Sequence, residues 1–343
     1  MNNASKSYEK LLQVNTTDIP KLVDTCLKSK TNLLIYGEAG CGKSTIIQGL
    51  SDRYAITILG AATLCEEALN GIPVYDAETK TTPYATPEWL KKVLQTHEAN
   101  PELPQLLFID ELTLARPEVM NGLQLLLTDR CLSTHPDLKL PDNLVIVSAT
   151  NTVAETTEGY ELSRPLKTRF MTVRMTNTPA DFEPYAISQL EGTLSHIKAA
   201  LGKDMAEQLI RDAITDFKEH WCDNTEFYGT NPRTIMNYFK ACDTLCETQG
   251  TLSRSEANFY AQATTGHELH TFNWVAGDIT VGHAKQGKDS LIPPLQVIKG
   301  MSISELESLR EAILNSTKAT SQAGIRALLE ISDTVANKEA DNE

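Results

Sequence analysis

Four apolar residues, Leu33-Leu34-Ile35-Tyr36, pass directly into Gly37-Glu38-Ala39-Gly40-Cys41-Gly42-Lys43-Ser44, and the stretch ends in a helical pattern through Thr45, Ile46 and Ile47. The eight central residues fit G-x-x-x-x-G-K-[ST], the phosphate-binding loop, in the strand-then-helix setting that this motif needs. Phosphate oxygens must be approached by several backbone N–H groups at once, and only glycine lets the backbone turn and come that near. Gly37, Gly40 and Gly42 answer that need. Lys43 brings a point charge to the β- and γ-phosphates, and the Ser44 hydroxyl is the expected Mg²⁺ ligand. The expected nucleotide-contacting residues are thus Gly37, Glu38, Ala39, Gly40, Cys41, Gly42, Lys43, Ser44 and Thr45.

A second signal lies downstream. Leu106-Leu107-Phe108-Ile109 reads as a buried strand and ends in Asp110-Glu111. Two adjacent carboxylates at the end of such a strand are costly unless charge awaits them there. In a nucleotide site Mg²⁺ and an attacking water supply that purpose, so Asp110 is read as holding the Mg²⁺ hydration shell and Glu111 as the base or water-positioning residue. A further strand, Leu144 to Ala149, leads to Thr150-Asn151, which puts the Asn151 amide at the same sheet edge, within reach of a γ-phosphate or the lytic water.

Ala55 to Leu59 and Met171 to Met175 complete five short apolar segments with helical stretches between them. Among those stretches, Pro117 to Asp129 carries Met120, Leu123, Leu126 and Leu127 on one face. This pattern predicts an α/β fold: a five-stranded parallel sheet with helices on both faces and ligands at the carboxyl ends of the strands. Residues 1 to 30 read as helical, and a short hairpin is expected from Pro73 to Thr86. Beyond Asn177-Thr178-Pro179 the pattern turns wholly helical, with Asn231-Pro232-Arg233-Thr234 opening a helix on a proline suited to the first turn. Gly277 to Gly300 reads as loop. Ser302 to Leu314 and Ala323 to Val335 read as helices, and the tail ANKEADNE as disordered. The expected division is residues 1–178 for the nucleotide-binding domain, 179–275 for a small all-helical lid and 276–343 for a partly helical C-terminal extension. That extension would serve either partner recognition or peripheral packing.

Composition narrows the function. A chain of 343 residues, 41% hydrophobic, can bury a large core, and its net charge of −14 opposes bulk attraction to nucleic acid or anionic membranes. No run approaches a membrane span and the N-terminal residues lack a signal-peptide core, so a cytoplasmic location is expected. Seven scattered cysteines without C-x-x-C spacing favour reduced thiols over a disulfide framework or a zinc site.

Taken together, the P-loop, Asp110-Glu111, Ser148-Ala149-Thr150-Asn151, Lys167-Thr168-Arg169-Phe170 and Asn231-Pro232-Arg233 resemble the AAA+ ATPases over about residues 15 to 275. Asp110 to Leu123 is similar to the MoxR branch in particular. The resemblance implies ATP and Mg²⁺ as ligands, Asn151 as the sensor 1 residue, Arg169 as the arginine finger acting on a neighbouring subunit's γ-phosphate, and Arg233 as the sensor 2 arginine. It implies that the hairpin at 73–86 is an insertion able to face the pore of a ring. It also implies a homo-oligomer, typically a hexamer, and a protein partner such as a von Willebrand factor A domain protein. Arg164 is an alternative finger, and Arg116, Arg130 or Arg174 could line the interface. The leading expectation is an Mg²⁺-dependent ATPase ring that remodels or activates a protein. The alternatives are a nucleic-acid-stimulated motor or GTPase, opposed by the acidic charge and the lack of a GTPase-like Met-Asn-Thr-Ala-Asp stretch, and a nucleotide-gated scaffold with little turnover.

Overall fold

The computed structural model describes residues 11–151, 160–222, 229–249, 251–252, 254–267 and 279–280, with single residues at 310 and 331. The chain divides into two compact units: residues 1–182 with 221–223 and 231–234, and residues 183–220 with 224–230 and 235–343.

The first unit holds a six-stranded sheet. Its strands are β1 (Gln13–Val14), β2 (Asn32–Gly37), β3 (Ala55–Gly60), β4 (Gln105–Asp110), β5 (Leu144–Asn151) and β6 (Phe170–Met175), in the order β1-β6-β2-β5-β4-β3, and every neighbouring pair is parallel. All five predicted strands are present. The sixth, β1, falls where helix was expected; among the described residues of that segment the α-helix, α1, spans Ile19–Ser29. Two residues leave no period to read, and Gln13 and Val14 become a strand only because the edge of β6 accepts them.

Every residue of β2 is buried, as a central parallel strand requires. Alternate side chains feed opposite faces: Leu34 and Tyr36 join Leu107, Ile109 and Ile146 in one apolar cluster, while Leu33 and Ile35 join Leu106, Phe108, Val145 and Val147 in the other. Helices cover both faces, among them α2 (Lys43–Gln48), α3 (Glu66–Asn70), α4 (Glu88–Ala99), α5 (Pro117–Asp129) and the short α6 (Arg164–Lys167). Pro117 opens α5 as predicted, and Val119, Met120, Leu123, Leu126 and Leu127 are its buried residues.

The hairpin expected between Pro73 and Thr86 is present as two antiparallel bridges, Pro73 to Tyr84 and Asp76 to Thr81. Its base is fixed to the body. Gly71 has φ +89 and a Cβ there would collide with the Ala85 carbonyl, while Thr134 Oγ1 donates to the Asn70 carbonyl at 2.7 Å and Trp89 Nε1 to the Leu69 carbonyl at 3.0 Å.

The second unit is built on α8 (Ser195–Leu201), α9 (Lys203–Phe217), α11 (Arg254–Thr265), most of α10 (Pro232–Gln249) and the later part of α7 (Pro179–Ser188). Ala206, Leu209, Ile210, Ala213, Ile214 and Phe217 form the buried face of α9. Phe217 meets Tyr238 edge to face at 5.9 Å between ring centroids. The unit is not wholly helical: β7 (Thr251–Leu252) pairs antiparallel with β8 (Ile279–Thr280), the latter inside the segment expected to be loop. The helices expected at 302–314 and 323–335, and the tail, lie outside the described residues apart from Arg310 and Ile331. No helix among the described residues is long and apolar enough to cross a membrane.

Candidate active site

The loop after β2 takes its shape from its glycines. Gly40 and Gly42 have φ of +76 and +99, the left-handed region where a side chain is strained. Gly37 is needed for closeness instead: a Cβ there would stand 2.9 Å from Cys41 Sγ and 3.2 Å from Lys43 Cδ. The loop therefore folds back on the end of its own strand and brings Lys43 inward, where it is buried. Lys43 Nζ donates to the Gly37 and Glu38 carbonyls at 2.9 Å each and to Asn151 Oδ1 at 2.8 Å. Asn151 is opposite Gly37 in the β2–β5 register, so strand pairing sets that last contact.

Asp110 ends β4. Ser44 Oγ, on the first turn of α2, donates to Asp110 Oδ2 at 2.7 Å. Hydroxyl and carboxylate make a hard-oxygen pair of the kind Mg²⁺ uses, one or two protein ligands being completed by phosphate and water. Among the described residues no group of three His, Cys, Asp or Glu side chains could hold a metal ion. Cys242 and Cys246 are buried thiols.

Glu111 is exposed and has φ +56, a conformation costing a non-glycine residue about 1 kcal/mol or more. Its neighbours enforce it. The Glu111 N–H donates to Asp110 Oδ1 at 3.1 Å, its carbonyl accepts from the Leu114 N–H at 2.8 Å, and Leu112 is fully buried. Behind it Thr113 and Thr150 share a buried hydroxyl–hydroxyl bond, tying the turn after Glu111 to the residue before Asn151.

Arg169 is placed elsewhere. It precedes β6 and so lies at the amino edge of the sheet, whereas Lys43, Asp110 and Asn151 gather at the carboxyl edge. Its Nε donates to Thr128 Oγ1 at 2.5 Å and its Nη1 to the Pro165 carbonyl. Arg233 is exposed in the first turn of α10, with its backbone N–H on Asn231 Oδ1 at 3.0 Å. Arg164 and Arg116 are exposed. Arg130 and Arg174 are engaged within the chain, Arg130 on the Pro141 and Leu144 carbonyls and Arg174 on Glu38 at 3.3 Å.

Two contacts to the loop escaped the sequence. Asn177 Nδ2 donates to the Cys41 carbonyl at 2.9 Å, and the Asn231 carboxamide lies against Gly40, where any Cβ would overlap it. No local pattern announces a contact across 136 residues, and both asparagines read as ordinary turn and cap residues.

The central P-loop strand, the strand order and the carboxyl-edge cluster define a P-loop AAA+ fold. Within that class, residues 32–170 match the AAA domain (dynein-related subfamily). The match takes in the P-loop, Asp110-Glu111 and Asn151 and ends one residue beyond Arg169; Arg233 and the second unit lie outside it. Similar solved structures include a mutant of RuvB from Thermotoga maritima, 13% identical with a TM-score of 0.43, covering 92% of this chain and 88% of that one. NtrX from Brucella abortus in complex with ATP is 14% identical with a TM-score of 0.44, covering 94% of this chain and 67% of that one. No curated protein matches the chain.

Proposed function

We propose that the chain is an Mg²⁺-dependent ATPase of the MoxR-like AAA+ kind that works as a homo-oligomeric ring, of hexameric size, and remodels or activates a protein partner, a von Willebrand factor A domain protein being one such partner. The observation that carries this reading is the convergence on Lys43 and Ser44 of Asn151 and Asp110, two side chains delivered by separate strands. A loop that merely turned between strand and helix would have no use for them.

The P-loop N–H groups hold the β- and γ-phosphates, and Lys43 exchanges its carbonyl partners for phosphate oxygen. Ser44 and Asp110 would hold Mg²⁺, which would supply neutralising charge to those phosphates. Glu111 orients and deprotonates the attacking water, and Asn151 fixes that water and the γ-phosphate. Arg233 reports the same phosphate from the head of α10.

A position at the amino edge of the sheet suits Arg169 to act on the nucleotide of a neighbouring copy and not on its own. A cation supplied in this way as charge develops makes turnover depend on assembly. The 73–86 hairpin, with Val74 and Tyr75 exposed, suits contact with a substrate in the ring.

Mixing Glu111→Gln and Arg169→Ala proteins under subunit exchange tests this reading. One interface then combines an intact Glu111 with an intact Arg169 from the neighbour, so the mixture hydrolyses ATP faster than either variant alone. A mixture no faster than its components would rule out a shared site. Absence of turnover in the native protein with a bound partner would favour the scaffold alternative, and stimulation by DNA that falls steeply with salt would favour the nucleic-acid motor.

A further inference from the structure

Resting on the nucleotide reading above, we propose that Asn177 and Asn231 are positioning residues that clamp the P-loop at Cys41 and Gly40, and so set the direction of its backbone N–H groups for the phosphates. Both act through the loop, Asn177 on the Cys41 carbonyl and Asn231 beside Gly40.

Asn177 works through a peptide plane. Its Nδ2 holds the Cys41 carbonyl at 2.9 Å, and the Cys41–Gly42 peptide is trans. In a planar trans peptide the C=O and the following N–H point to opposite sides. Fixing the carbonyl on Asn177 therefore turns the Gly42 N–H to the other side of that peptide plane, away from Asn177, and the N–H groups of this loop are the ones a phosphate needs. Asn177 is itself held, because Trp221 Nε1 donates to its backbone carbonyl at 2.6 Å and the Trp221 ring meets Phe182 at 5.7 Å. Its Oδ1 is buried with no hydrogen-bond partner among the described residues. An apolar side chain of similar shape would avoid that cost, so the Nδ2 contact is what an amide contributes here.

Asn231 works by occupancy. Its Oδ1 accepts the Arg233 N–H at 3.0 Å and the Thr234 N–H at 3.2 Å, while Thr234 Oγ1 accepts the Asn231 N–H at 3.1 Å. The reciprocal cap leaves the carboxamide no freedom to swing away. Pressed against Gly40, it stops that glycine from relaxing outward through the wide range of conformations open to it.

Two substitutions separate this role from ordinary folding. Asn177→Leu keeps the shape and removes the donor. Asn231→Ser keeps a helix-capping oxygen but is too short to cover Gly40. Two readouts are taken. Backbone amide exchange of the peptide spanning residues 37–44 in nucleotide-free protein should quicken about five- to tenfold in Asn177→Leu, the loss expected for one hydrogen bond, and should also quicken in Asn231→Ser as the space beside Gly40 opens. The Kd for a fluorescent ATP analogue with magnesium should rise by a similar factor, while kcat at saturating ATP stays within about twofold and the unfolding temperature is unchanged. Unaltered exchange in both variants, or quickened exchange with native affinity, overturns the proposal. If exchange quickens but the native protein takes up no nucleotide, the ATPase reading fails while the clamp on the loop stands.

Discussion

Lys43 Nζ and Asn151 Oδ1 lie 2.8 Å apart across 108 residues of sequence. The first is on the helix that follows β2 and the second ends β5, and the pairing of those two strands puts Gly37 opposite Asn151. The contact makes the position of the lysine, the proposed phosphate ligand, depend on strand register. Lys43→Ala removes a buried cation from two carbonyls and an amide. It is expected to weaken ATP binding about 10- to 100-fold and to lower stability by about 1–3 kcal/mol. Nucleotide titration and thermal unfolding of the same preparation read both effects.

Glu111→Gln should leave the turn intact, since the strained backbone is held by the Asp110 carboxylate and the buried Leu112 and not by the Glu111 side chain. ATP affinity then stays within about twofold while kcat falls about 10²- to 10⁴-fold, the usual worth of a general base. Single-turnover kinetics separate the two, and a kcat within a few fold of native would remove Glu111 from the chemistry.

Gly71 anchors the hairpin by geometry alone. Gly71→Ala meets both a positive φ and the Ala85 carbonyl, and is expected to destabilise the first unit by about 2–4 kcal/mol. Limited proteolysis should show new cleavage between residues 72 and 86 before any elsewhere. Unchanged cleavage would mean that the hairpin base is more adaptable than its packing implies.

In the second unit, His196 Nδ1 is bonded to Asp243 Oδ2 at 2.9 Å, and the same carboxylate accepts the Ile197 N–H at 2.8 Å. The hydrogen bond to Asp243 raises the His196 pKa above 6.5, burial opposes the rise, and the charges of Asp243 and Glu247 add to it. A raised folded value makes the protonated imidazole stabilising. Its contribution is complete below about pH 6.5 and is lost as pH climbs through the higher folded value. The difference in unfolding temperature between native protein and His196→Gln should therefore shrink from pH 6 to pH 8. A constant difference would show that the pair carries no proton linkage.

Much of this protein follows from the sequence alone. The buried runs of β2, β4 and β5 are apolar enough to be recognised without partners, and α5 is legible because its apolar residues repeat on one face behind an N-terminal proline. The P-loop is legible because phosphate binding demands glycine at fixed places, a chemical requirement written into consecutive residues.

What only the tertiary structure decided is of another kind. The two-residue β1, the β7–β8 pair and the placement of Asn177 and Asn231 against Gly40 and Cys41 depend on contacts between segments far apart in the chain. A two-residue strand has no period, and an asparagine at a turn looks the same whether it faces water or a phosphate loop. Local pattern marks the long helices and the buried strands, but the free energy that makes a strand of two residues or selects a given amide for a given carbonyl arises only once the fold has brought the partners together.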